Sequence, residues 1–385
     1  MKRILIAAGE ASGDLHASYL VKAMLTLESS LQFYGMGGEK LREVGVRIIF
    51  DISRLSVMGI TEVIHHLGHL YRVFKWLEKS LKNDRPDLII LIDYPDFNLR
   101  LAKAAKRYNV PVLYYISPQV WAWRTRRIKK IGKLVDKMIV VFPFEFSLYE
   151  REGIEVSFLG HPLLDIVKVN KSKEENIKRF GLDDQKVTIG LLPGSRLSEV
   201  KRILPPMIGA AQQLSKRFKN LQFILPIAPG LKKEEIVKLT KNATVAITVV
   251  DDSIYEVIDV SYLVVVASGT ATLETALLST PMVILYKMSP LTYLVGRKLV
   301  KVKYIGMANI IAGRKVVPEL IQDEASAERI TYEVTRMLED TSYHQGICEE
   351  LSCIKRKLGE PGASNRAAKI ALEMLHYQRS TLQGE

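Results

Sequence analysis

The chain has 385 residues, 48% hydrophobic and 25% charged, a globular balance that excludes a disordered or fibrous protein. That length suits two domains better than one core. The net charge of +13 favours anionic partners such as nucleic acid, an acidic membrane or a phosphorylated substrate, and decides nothing about the fold.

No stretch is apolar for long enough to span a bilayer; the nearest, Tyr262 to Tyr286, is broken by the SGTAT loop and Glu274. Lys2-Arg3 runs straight into a strand-like ILIAAGE, so no secretory signal is expected. Cys348 and Cys353 make no disulfide framework, which points to a reducing cytoplasm. Basic residues are densest at Arg124–Lys133 and Arg297–Lys303, without zinc-ligand spacing or a nucleic-acid module. A membrane surface or a nucleotide-linked phosphate substrate is therefore expected, and nucleic acid is not.

From the N-terminus, short β-rich runs alternate with helical patterns. Strands are predicted at Ile4–Ala8, Gln32–Tyr34, Arg47–Phe50, Leu88–Ile92, Val112–Ile116 and Lys137–Val141. Runs apolar on both faces mark parallel strands covered by helices, and such sheets bind ligands beyond their carboxyl ends. After the first strand, AAGEASGD offers Gly9 and Gly13 for tight turns, Ser12 or Asp14 as a helix cap, and Glu10 as a rim carboxylate. It lacks GxGxxG, so no dinucleotide site is expected, and a plain βα turn is the alternative.

Within Glu62–Lys82, the residues Val63, Leu67, Leu70, Phe74, Leu77 and Leu81 form one helical stripe, most simply a core face. The flanking Leu55, Val57 and Met58, with Trp76 and nearby cations, read alternatively as a surface for anionic lipid. After the strand DLIILI, Asp93 stands between a buried run and Pro95, rigid and part-desolvated as a general base requires. Asp96 reads as the cap of a helix beginning near Phe97. In SPQVWAWR, Trp121 and Trp123 either line a sugar or acyl wall or pack in the core. The polar run after GHPL carries the interdomain hinge, near residues 161–172.

A second strand series follows at Val187–Leu192, Gln222–Pro226, Ala246–Val249, Tyr262–Val266 and Met282–Leu285. In LLPGSR, Gly194 and Ser195 permit close backbone approach and Arg196 adds a forked cation. That combination suits a pyrophosphate whose charge grows as a nucleoside diphosphate leaves; a solvated surface loop is the alternative. SGTATLE, between a buried strand and a helix, has the make-up of an anion pocket. Gly269 admits a phosphate, the first-turn N–H groups point at it, and Ser268, Thr270 and Thr272 supply hydroxyls. Glu274, one turn on, can accept two hydrogen bonds from a ribose diol. An ordinary capped helix start is the competing explanation.

Further on, GMANIIAGRKVVPELIQ carries Asn309, Glu319 and Gln322, polar residues that are either satisfied internally or touch ligand. No metal-ligand cluster or DxD pair stands out, so neither a metal nor another cofactor is expected. Beyond residue 323 strand patterns cease and EASAERITYEVTRMLED and GASNRAAKIALEMLHYQ read as helices. The fold class expected is α/β, with two doubly wound domains at 1–165 and 166–345. Helices at 346–385 then either return to the first domain or exchange between subunits.

The blocks GEASGD, VMGITEV, DYPDFN, SPQVWAWR, GHPL, LPGSR, SGTATLE and VPELIQ, in this order from Gly9 to about Gln322, resemble the lipid-A-disaccharide synthases. The resemblance implies a GT-B fold: two Rossmann-like domains facing a central cleft, with the UDP-sugar held mainly by the C-terminal one. It implies an inverting transfer of 2,3-diacylglucosamine from UDP-2,3-diacylglucosamine to 2,3-diacylglucosamine 1-phosphate, giving the β(1→6) disaccharide 1-phosphate and UDP. It further implies a cytoplasmic enzyme on the inner face of the membrane, with a homodimer as one arrangement. By matching position, Asp93 resembles the family's candidate base, Arg196 its pyrophosphate-stabilising arginine, and Asn309 a polar residue needed for activity. Ser268, Gly269, Thr270 and Glu274 resemble its nucleotide loop, and Glu10 is carried over as a second carboxylate. Ser12, Gly13, Met58, Asp96, Gly194, Ser195, Thr272, Glu319 and Gln322 complete the expected substrate-binding set. The chain has MAN before Ile310, where the family pattern has proline beside the asparagine.

Two rivals are distinguishable. A UDP-sugar 2-epimerase acting on a soluble sugar has no use for an apolar entrance beside basic residues. A basic membrane-binding protein that kept a nucleotide fold would not need Asp93.

Overall fold

In the computed structural model, which describes residues 1–52, 63–118, 127–251, 253–289, 293 and 303–382, the chain divides into two units. One comprises Met1–Asp165 with Leu358–Glu385, the other Ile166–Lys357. The boundary expected at 346 thus falls inside the helix Thr341–Lys357, which packs with the second unit.

The first unit holds seven parallel strands: β1 (Arg3–Ala8), β2 (Gln32–Gly37), β3 (Arg47–Asp51), β4 (Leu88–Ile92), β5 (Val112–Tyr115), β6 (Lys137–Val140) and β7 (Val156–Phe158). Their order is 3-2-1-4-5-6-7, the doubly wound order in which the direction of strand addition reverses between β1 and β4. Every residue of β4 is fully buried because both of its faces are covered. Leu88, Ile90 and Ile92 pack with the helices Ala11–Leu27 and Ala363–Leu382, whereas Ile89 and Leu91 pack with Val63–Asn83 and Pro95–Arg107. Each such side chain contributes about 1.5–3 kcal/mol of apolar transfer, so the strand pattern outweighs any local propensity.

The second unit holds six parallel strands: β8 (Val187–Leu192), β9 (Leu221–Ile227), β10 (Ile247–Asp251), β11 (Leu263–Ala267), β12 (Met282–Tyr286) and β13 (Glu319–Ile321). Their order, 10-9-8-11-12-13, reverses between β8 and β11. The strand–helix rhythm predicts eleven of these thirteen strands and misses β7 and β13. Both are three-residue edge strands, and pairing on one side leaves them too short and too weakly buried to show a run.

In the helix Val63–Asn83, Leu77 and Leu81 are buried and Leu70 and Phe74 pack against the core, so the described half of the stripe faces inward. Tyr71 and Trp76 stay exposed on the other side. Leu55, Val57, Met58, Trp121 and Trp123 lie outside the described residues. Among those described, no helix is long and apolar enough to cross a membrane.

Candidate active site

In the first unit, pairing of Ala8 with Ile92 sets the loops after β1 and β4 side by side at the switch point. Glu10 is exposed at the N-cap position of the helix Ala11–Leu27, with no side-chain capping bond. The helix starts earlier than expected, so neither Ser12 nor Asp14 is its cap and Gly13 makes no turn. Gly13 lets the helix approach the sheet, where an added Cβ would meet Ile92 Cγ2 at 3.4 Å. Asp14 instead caps a neighbouring helix, Glu39–Glu43, accepting the N–H groups of Gly38 at 2.6 Å and Lys40 at 2.9 Å.

Asp93 follows β4 in a left-handed conformation, φ 45°, as does Tyr94 at φ 44°. Its carboxyl is half-buried, and burial together with the negative charge of Glu10 pushes it up to about 7, against the Tyr94 amide that pulls it down. A carboxylate tuned there titrates where a general base is most effective. Gly9 is required for this arrangement, because a Cβ would lie 2.2 Å from Tyr94 Cγ. Asp96 differs from expectation: the helix begins at Pro95 with Tyr94 at the N-cap position. Asp96 therefore sits in the first turn, ion-paired with Arg127 at 2.7 Å on the surface.

In the second unit the loops after β8 and β11 occupy the other switch point. Gly194 has φ 110°, open only to glycine, and a Cβ would lie 2.3 Å from Glu199 Oε2. Ser195 and Arg196 are exposed, and Arg196 takes the N-cap position of the helix Leu197–Arg217. Burial raises the Glu199 carboxyl, opposed by the Arg196 charge and the amides of Ser195 and Arg196. Ser268 donates its N–H to Leu285 O at 2.8 Å, fixing the next loop to β12. Gly269 is extended, φ 162°, at the N-cap position of the helix Thr270–Leu277. Among the described residues nothing lies within 4 Å of where its Cβ would be, so the helix start borders open space there.

Thr270 is exposed beside that space. Thr272 is not available to a ligand: it is fully buried and donates its hydroxyl to Gly269 O at 2.8 Å. Glu274 is half-buried and accepts from Tyr255 Oη at 3.1 Å; burial raises its carboxyl and Tyr255 opposes that.

Asn309, Glu319 and Gln322 prove to be a brace. Asn309 is fully buried; its Nδ2 donates to Val317 O at 2.9 Å and Glu319 Oε1 at 2.8 Å. Its Oδ1 accepts from Val316 N at 2.7 Å and Val317 N at 3.0 Å, so its amide is spent on the scaffold. Glu319 accepts the amides of Ile305 and Gly306, both at 2.9 Å, at the start of the helix Met307–Ala312. Gln322 clamps Met288, accepting its N–H at 2.8 Å and donating to its carbonyl at 3.2 Å.

The structure therefore brings Glu10 to Asp93 in one unit, and Gly194, Ser195 and Arg196 to the face of Ser268, Gly269, Thr270 and Glu274 in the other. Sequence reasoning missed Glu199, Tyr255, Tyr114 and Asn98. Only Asn98 left a signal, as an amide on the apolar stripe with Leu101, Ala102 and Ala105. Among the described residues, no group of three or more His, Cys, Asp or Glu side chains is placed to hold a metal ion.

The family model described as lipid-A-disaccharide synthetase matches residues 4–374. The lipid-A-disaccharide synthase of Geobacter sulfurreducens is 50% identical over 376 residues, 98% of each chain. That of Myxococcus xanthus is 42% identical over 373 residues, 97% of each. The fold is similar to UDP-GlcNAc 2-epimerase from Neisseria meningitidis solved with UDP-GlcNAc, with TM-score 0.67, 13% identity and coverage of 97% and 100%. It is also similar to Acinetobacter baumannii MurG, with TM-score 0.58, 12% identity and the same coverage. At such low identity this likeness shows the fold alone, which is GT-B.

Proposed function

The chain belongs to the lipid-A-disaccharide synthetase family and is a glycosyltransferase, and from that premise we propose how its residues carry the reaction. The donor is UDP-2,3-diacylglucosamine and the acceptor 2,3-diacylglucosamine 1-phosphate. Asp93 takes the proton of the acceptor 6-hydroxyl as that oxygen attacks the anomeric carbon. The bond from that carbon to the phosphate oxygen breaks, its electron pair leaves with UDP, and the single displacement inverts the centre to β. Arg196 and the amides at Gly269 stabilise the growing charge on the pyrophosphate, while Glu274 accepts from the ribose. Asn309, Glu319 and Gln322 act at a distance by holding the scaffold.

The observation that carries this reading is the Asp93 carboxyl, held half-buried at the β1–β4 switch point and raised to about 7. Peripheral association with the inner face of the cytoplasmic membrane is part of the proposal. It is supported by the net charge of +13 and by exposed Tyr71 and Trp76 on a helix that also carries Lys75, Lys79 and Lys82. A homodimer is retained as the oligomeric expectation.

The test is UDP release from the donor with and without acceptor, in detergent and excess EDTA. Acceptor-dependent release with a disaccharide mass supports the transfer and its independence of divalent metal. Interconversion of a soluble UDP-sugar, with no disaccharide, would replace it with the epimerase reading.

A further inference from the structure

We propose that Asn98 and Tyr114 are positioning residues that lock the Asp93–Tyr94 backbone and so aim the Asp93 carboxylate. The inference rests on Asp93 being the base and adds what holds it there. Two consecutive non-glycine residues at positive φ, 45° and 44°, are sterically disfavoured and persist only where surrounding bonds over-determine them. A third, Ile116 at φ 66°, lies across from them, and its carbonyl accepts the Asp93 N–H at 3.4 Å.

Two side chains converge on the Asp93 carbonyl oxygen. Asn98 Nδ2 donates to the carbonyls of Asp93 at 2.8 Å, Ile92 at 3.0 Å and Ala7 at 3.2 Å. Tyr114 Oη donates to the same Asp93 carbonyl at 2.5 Å. The helix Pro95–Arg107, β1, β4 and β5 are thereby tied at the residue whose side chain does the chemistry. Tyr114 is fully buried and Asn98 is 1% exposed, so neither reaches a substrate. Burial pushes the Tyr114 phenol well above its ordinary range, which keeps it a donor at any working pH. Among the described residues, Asn98 Oδ1 has no hydrogen-bond partner. An amide that leaves its acceptor unpaired to serve three carbonyls is oriented by those carbonyls. On the far side Gly9 leaves room for the Tyr94 ring, so the pair is held from both faces.

The experiment compares Tyr114→Phe, Asn98→Ala, Asp93→Asn and, as a control, Tyr149→Phe, measuring kcat, KM and the pH profile of the full-length protein. Tyr149 is an equally buried tyrosine of the same core whose hydroxyl meets Pro118 O at 3.4 Å and not the Asp93 carbonyl. Tyr114→Phe keeps the ring, so its fold should survive even where Asn98→Ala fails. For Tyr114→Phe, kcat is expected to fall about tenfold with both KM values within about twofold, because the carboxylate is misdirected, not unbound. Its activity limb, near pH 7 in the parent, should move down by about half a unit or more as the freed carboxylate gains water. Tyr149→Phe should leave kcat and the limb in place. An inactive Asp93→Asn with an unmoved Tyr114→Phe, or an equal shift in Tyr149→Phe, overturns the positioning role alone. Normal turnover in Asp93→Asn overturns the base and the positioning role with it.

Discussion

The two units place their loops at equivalent switch points of equivalent sheets, yet they build them in opposite ways. In the first unit the loop after β4 is strained and tied down, with Asp93 and Tyr94 left-handed and side chains from two elements donating to one carbonyl. In the second unit the loop after β11 is extended and open, with none of the described residues within 4 Å of the Gly269 Cβ position. A base must deliver one atom to one place, and rigidity serves that. An anion site must present several amides to a diffuse charge, and open backbone serves that. One topology therefore supports a directed carboxylate and a receptive amide cradle, decided by a handful of residues per loop.

The largest effect should come from Asp93→Asn, which is expected to lower turnover about a thousandfold by removing the proposed base. The same variant should be more stable. The folded chain keeps the Asp93 proton up to about pH 7, whereas an unfolded aspartate loses it near 3.8, so ionisation disfavours the fold. That loss is absent below 3.8 and complete above 7, so thermal melts should show no gain at low pH and about 2–4 kcal/mol at pH 8. A variant that melts lower at every pH would show that Asp93 is a structural group. Arg196→Ala should lower kcat about a hundredfold with little change in melting, and Arg196→Lys should recover part of it by keeping charge without the fork. Steady-state kinetics and a melt on each variant test the contrast.

Asn309→Ala should lose about 2–4 kcal/mol of stability in a denaturant titration, since the Val316 and Val317 amides and the Val317 carbonyl lose their partner inside and Glu319 loses one of its three donors. Activity should fall in step with the folded fraction; full stability with lost turnover would return Asn309 to the chemistry. The smallest and sharpest test is a pair of glycines. Gly9→Ala places a Cβ 2.2 Å from the Tyr94 ring and should lower both melting temperature and kcat. Gly269→Ala meets none of the described residues and should keep its melting temperature while raising the donor KM about tenfold. Equal behaviour of the two would erase the distinction between a tied loop and an open one.

The sequence by itself determined the α/β class, eleven strands and the two strand-end loops of each unit. Those features rest on short-range signals: apolar runs buried on both faces, glycines and hydroxyls after a strand, a proline after Asp93. Tertiary structure alone decided which polar residues are spent on the scaffold and which stay available. Asn309, Glu319, Gln322 and Thr272 share the composition of site residues, but their hydrogen bonds close within the scaffold. Asp14 looks like a cap for its own helix and serves a neighbouring one 24 residues away along the chain. The left-handed turn at Asp93 is likewise invisible locally, because nothing in DYPDFN compels it. It is imposed by donors from Asn98 and from Tyr114, the latter 21 positions along the chain on another strand. A hydrogen bond between distant residues leaves no periodicity in sequence, and only the packed sheet brings its two ends together.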